Sequence, residues 1–242
     1  MIHIITNQLT SIIQRWDMME KSTAMRKAFI ETEVRMHYNP ESKSVLLFVP
    51  GVITIILMLV SAMLTSISIA KEKEMGNMEI LLVSPLKPIT VIIGKILPYL
   101  ILSLINALII LGIGNLIFKV PINGSFVLLI FECLLFIGVA LALGVFISTK
   151  VESQQMALML SLFALMLPTI LLSGFIFPIS SMPFPLQWLS HLMPPKYFII
   201  IIKAIMLKGV GLSVVWKETL ILAFMAMLFM GLSIKNYKSR LE

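Results

Sequence analysis

Glu72, Glu74 and Glu79 stand among Lys71, Lys73, Met75, Gly76 and Met78, in a dense charged stretch that interrupts two long apolar runs. Placed on one helix, Met75, Met78 and Leu82 fall in a stripe bordered by Glu72 and Glu79. An apolar stripe edged by carboxylates suits a helix that docks in a partner's groove; the plainer reading is a solvated loop. Glu132 lies inside an apolar run, where a carboxylate is expensive and marks a functional position by default. It is seven residues from Ser125, roughly 10 Å down a helix. A pathway or gating role competes with simple pairing to Lys203, Lys208 or a lipid headgroup. Asn106 sits deep in another run and joins it to a neighbouring helix by hydrogen bonding, or lines the same pathway.

Bond-making chemistry finds no support. His3, His37 and His191 are scattered without metal-ligand spacing, and the eighteen methionines read as packing or lipid-facing residues. The pair Gly94-Lys95 is followed by Ile96, and Ile89 occupies the place of the first P-loop glycine. Neither H-E-x-x-H nor G-x-S-x-G occurs. The chain is expected not to be an enzyme and to bind no cofactor or metal. Energy for any work must come from a partner or a gradient.

Long apolar runs position these residues. Hydrophobic residues make up 59% of the 242 and charged ones 13%, against about half and a quarter in soluble domains. Five runs, Val45–Ala70, Ile89–Phe118, Phe126–Ser148, Met156–Phe177 and Val214–Ile234, have the length of roughly 20 residues that crosses a bilayer core. Lipid leaves backbone groups no water to bond, so each run is read as a helix. The fold class is an all-α integral membrane protein with about five transmembrane helices. A net charge of +7 fits loops at lipid headgroups, and no basic, aromatic-bearing soluble face points to nucleic acid. Cys133 is the only cysteine and excludes an intrachain disulfide.

Residues 1–44 form the sizeable polar part. Met1–Met25 reads as an amphipathic helix carrying Ile5, Leu9, Ile12, Ile13 and Trp16, and Phe29–Tyr38 as strand-like. Pro50 and Gly51 predict a kink or a re-entrant turn at the start of the first span. Between Pro178 and Trp216, a proline-rich stretch and the short apolar segment Tyr197–Leu207 predict interfacial or re-entrant helices. Five spans put the ends on opposite sides. Leaving out residues 1–44, lysine and arginine divide eight against five in favour of a cytoplasmic C-terminus; including those residues reverses the vote. Charge alone leaves the orientation open.

One stretch identifies a relationship. Ala70-Lys71-Glu72-Lys73-Glu74-Met75-Gly76-Asn77-Met78-Glu79-Ile80-Leu81-Leu82-Val83-Ser84-Pro85 resembles the charged helix after the second span of ABC type-2 exporter permeases. Val49-Pro50-Gly51, Gly94-Lys95 with Pro98-Tyr99, Val120-Pro121, Gln154-Gln155, Leu172-Ser173-Gly174-Phe175 and Leu207-Lys208-Gly209 follow in the same order. The resemblance covers about residues 34–235. It implies an ABC type-2 transmembrane domain over 45–238, with 1–44 the remnant of an extracytoplasmic domain. The family's first span and most of that domain are absent, so a truncated chain or a second polypeptide is expected. Lys71, Glu72, Glu74, Met75, Gly76, Met78 and Glu79 would form the cytoplasmic coupling helix.

The resulting expectation is a permease subunit of an ATP-driven exporter in a bacterial plasma (inner) membrane, with a cytoplasmic C-terminus. It would dimerise with itself or a related permease, contact lipid, and bind a separate cytoplasmic ATPase that uses the ATP. The alternatives are a gradient-driven carrier, for which Glu132 would be the relay, and an inactive membrane fragment or scaffold.

Overall fold

The computed structural model describes residues 10–19, 43–76 and 88–238. The chain divides into two compact units, Met1–Pro40 and Glu41–Glu242. Within the first, residues 10–19 form a helix, α1, inside the amphipathic segment. The strand-like reading of Phe29–Tyr38 lies outside the described residues.

The second unit is all helical among its described residues. It comprises α2 (Ser44–Glu74), α3 (Pro88–Leu116), α4 (Phe126–Ser148), α5 (Gln154–Leu172), a 3-10 turn at Ile179–Ser181, α6 (Phe184–Ser190), α7 (Pro194–Lys208) and α8 (Leu212–Lys238). Five helices are long and apolar enough to cross a membrane: α2, α3, α4, α5 and α8. The third expected span matches helix α4 in both bounds. The fourth stops at Leu172, short of Phe177, because Gly174 turns the chain with φ 76° before Pro178. Pro50 lies within α2, which runs unbroken past it; the Thr54 hydroxyl donates to the Pro50 carbonyl at 2.8 Å. No re-entrant turn opens the first span.

Helix α4 is the central element. Leu129, Phe136, Ile137 and Leu141 along it are fully buried, and α2 and α8 pack against it. A Cβ on Gly144 would lie 2.4 Å from the Ala62 carbonyl of α2, so only glycine allows this approach. Close backbone approach at small residues is how helices gain packing in lipid, where the hydrophobic effect gives no drive for association. On α8, the Ser233 hydroxyl lies 2.9 Å from the Ala142 carbonyl of α4.

Helices α6 and α7 form a pair bent by 75°. Helix α6 follows the end of α5, where Phe175 packs beside Phe48 near the start of α2. At the far end of α7, the Asn123 backbone and side chain donate to the carbonyls of Met206 and Leu207 at 3.0 Å. Asn123 belongs to the α3–α4 turn, and Gly114 near the end of α3 packs on Val49 of α2. Both ends of the pair therefore lie at one end of the bundle, as in a re-entrant hairpin. Helix α7 is not interfacial: Phe198, Ile201, Ile202 and Ile205 are fully buried, and Phe198 stacks on Phe136 at 4.1 Å.

Candidate functional site

Lys71 to Glu74 form the last turn of α2, continuous with the span and not a separate helix. Met75 caps that helix, and Gly76 adopts φ 72°. A Cβ on Gly76 would meet nothing within 4 Å among the described residues, and its left-handed backbone is the conformation that glycine favours. The chain leaves α2 at Gly76, and the remainder of the expected stripe, with Leu82, lies outside the described residues. Met78 and Glu79 lie outside the described residues.

Three consecutive side chains on this turn reach three different partners. Glu72 pairs with Lys95 near the start of α3. The Lys73 ammonium donates to the Val151 carbonyl in the α4–α5 connection. The Glu74 carboxylate accepts from the Gln154 backbone N–H at 2.9 Å and from its side-chain amide at 3.3 Å. Gln154 opens α5, whose N-cap is Ser153, accepting from Met156 N–H at 3.2 Å. Free N–H groups and the helix dipole make that terminus favourable for a carboxylate. Lys71 and Met75 point outward, and Met75 is 59% exposed. One turn further back, the Tyr99 hydroxyl of α3 is bonded to Ser68 of α2.

Glu132 is wholly buried between helices. Its Oε1 accepts from the Thr219 hydroxyl of α8 at 2.6 Å, while Oε2 is buried with no hydrogen-bond partner. Among the described residues it is Thr219, and neither Lys203 nor Lys208, that bonds this carboxylate. The Thr219 hydroxyl also lies 3.0 Å from the Val215 carbonyl of its own helix. The Asn106 amide nitrogen is buried with no hydrogen-bond acceptor among the described residues. Among the described residues no hydrogen bond joins Glu132 or Asn106 to the Glu72–Glu74 turn.

Sequence reasoning missed Val151 and Thr219 altogether, and met Lys95 and Gln154 only within the motifs Gly94-Lys95 and Gln154-Gln155. Lys95 carried a usable signal, since a lysine opening an apolar helix needs an anion nearby. A backbone carbonyl and a helix N-terminus have no signature of their own. Among the described residues no three histidine, cysteine, aspartate or glutamate side chains are grouped to hold a metal.

The profile of the family described as "ABC-2 family transporter protein" matches residues 1–235. The chain is 32% identical over 242 residues, 99% of its length, to the "Probable multidrug ABC transporter permease YbhS" of Escherichia coli (strain K12), covering 64% of that protein. It is 34% identical over 215 residues, 89% of its length, to the "Probable multidrug ABC transporter permease YbhR" of the same organism, covering 58% of it. With the "Inner membrane transport permease YhhJ" of that strain the identity is 27% over 240 residues, 98% of this chain and 62% of the relative. The chain thus spans about three fifths of the length of these relatives. A family match over nearly the whole sequence, on a bundle with five membrane-crossing helices, makes this chain a multi-pass membrane protein of the ABC-2 transporter family.

Proposed function

We propose that this chain is a permease subunit of an ATP-driven ABC exporter in a bacterial inner membrane, working with a separate cytoplasmic ATPase. The family match over residues 1–235 carries the reading. Its relatives in Escherichia coli are described as permeases, one of them as an inner-membrane protein. The end of the bundle bearing Lys71–Gly76 and the α4–α5 connection faces the cytoplasm, as does the C-terminus after α8. Lys71, Met75 and the following stretch with Met78 and Glu79 meet the ATPase. The transmembrane unit, 45–238, forms half of the path in a dimer with itself or a related permease, and residues 1–44 lie outside the cytoplasm.

ATP-driven closure of the ATPase pair would push this end and rock the spans between inward and outward states. The bulk of the exposed surface of α3 and α5 is apolar, including Ile101, Ile105, Ile109, Met159 and Phe163, which suits lipid and hydrophobic cargo. Among the described residues a gradient-driven carrier has Glu132 as its candidate relay, with one buried oxygen left without a hydrogen-bond partner.

The test is affinity purification of the tagged chain from membranes of its source cell in mild detergent. An ABC ATPase at near-equal amount supports the permease reading. Its absence from repeated preparations, with the chain itself folded, contradicts it.

A further inference from the structure

Two of the residues that the sequence offers as a partner's contact surface, Glu72 and Glu74, are bonded within the chain, as is Lys73 between them. Glu72, Lys73 and Glu74 bond α3, the α4–α5 connection and the first residue of α5 in turn. Successive helical residues point about 100° apart, so three neighbours can be gripped at once only where a helix end is surrounded. At the opposite end of α2, Phe175, three residues past α5, fills the notch that Gly51 leaves. A Cβ on Gly51 would fall 1.8 Å from that ring, and Phe48 meets the same ring edge-on at 5.5 Å. Helices α2 and α5 are thus joined at both ends, across 23 residues of α2, or roughly 35 Å.

We propose that Glu72, Lys73 and Glu74 form an internal clamp that makes α2 and α5 move as one body, with Lys95 and Gln154 as its positioning residues. The proposal rests on the permease reading only for the source of the force. A push on Met75 and the stretch beyond Gly76 reaches α5 through the Glu74–Gln154 bonds, without α5 touching the ATPase. Lys71 and Met75 stay available to the partner because the three residues between them are turned inward. The clamp also explains an acidic-basic-acidic order. The two carboxylates meet an ammonium and a helix N-terminus, and the lysine between them meets a carbonyl.

Two arms test it. In a Cys133→Ser background, Glu74→Cys and Gln154→Cys are joined by a short bis-methanethiosulfonate reagent in membranes, with and without Mg-ATP and orthovanadate. Equal cross-linking in both conditions, with ATP hydrolysis retained by the cross-linked complex, is expected. Cross-linking lost in one condition, or hydrolysis arrested by the link, overturns the clamp. In the second arm, Glu72→Lys and Lys95→Glu are made singly and together. Each single variant should keep its ATPase but lose hydrolysis about fivefold or more, and the double swap should return to within about twofold of the parent. A single variant that sheds the ATPase, or a swap that fails to rescue, means that Glu72 touches the partner and no clamp exists. Absence of any ATPase from the parent defeats the permease reading instead. The clamp is then decided by the cross-link in the chain alone, and failure of positions 74 and 154 to link overturns it.

Discussion

Glu74 and Glu132 are the same residue type in two settings. Glu74 sits at an exposed helix end and accepts two N–H donors from Gln154. Glu132 is enclosed between α4 and α8 with a single hydroxyl at one oxygen and nothing at the other. At the exposed end each bond replaces a bond to water, so it contributes little on its own. In the interior the carboxylate has lost its hydration, and the Thr219 hydroxyl is what remains to offset that loss. The junction where motion must be passed on is therefore held by several individually weak contacts acting together. The costly one fastens two spans together.

The difference is sharpened by substitutions, read as the unfolding temperature of the purified chain in detergent. Thr219→Val has the largest expected effect. It removes the donor and leaves the buried carboxylate wholly unsatisfied, a loss of about 1–3 kcal/mol, or several degrees for a chain of this size. Glu74→Ala comes next: it removes an acceptor and a favourable charge at the start of α5, for about 1 kcal/mol. Lys95→Ala should cost less, about 0.5 kcal/mol, because its pairing with Glu72 is partly open to solvent. The difference between parent and Lys95→Ala should shrink further in 1 M salt. Glu132→Leu should have the smallest effect, under about 0.5 kcal/mol, because the desolvated carboxylate goes and Thr219 keeps the Val215 carbonyl as acceptor. A Glu132→Leu chain that unfolds more easily than Thr219→Val would break the comparison. One that is stable yet inactive in export would make Glu132 a pathway residue.

The spans were legible because length and apolarity alone decide whether a segment can cross lipid, and α4 follows its apolar run from Phe126 to Ser148. The ends were less so. Lys71–Glu74 reads as a break in hydropathy, yet the helix continues through it, since lysine and glutamate are good helix formers. Gly76 was visible as a punctuation mark, but whether it served space or backbone needed the geometry. The motifs Val49-Pro50-Gly51 and Leu172-Ser173-Gly174-Phe175 each stand out in the sequence. That Phe175 fits against Gly51 depends on how α2 and α5 are aligned, over more than 120 residues of intervening chain. Glu132 was recognisable as an anomaly, while its partner was not: a threonine on a helix shows no sign of facing a carboxylate. The segment Tyr197–Leu207 was too short to cross and left an interfacial and a re-entrant reading open; the 15-residue helix α7 is buried as half of a bent pair.

The most direct test of the coupling end is site-specific photo-cross-linking in intact membranes. A photoreactive amino acid replaces Met75, exposed at the end of α2, or Phe118, exposed just past α3 at the other end of the bundle. Irradiation should give an adduct with an ABC ATPase from position 75 and none from position 118. An ATPase adduct from position 118, or none from position 75 while the ATPase still co-purifies, would contradict the assignment of the Lys71–Gly76 end as the one that receives the force of ATP hydrolysis.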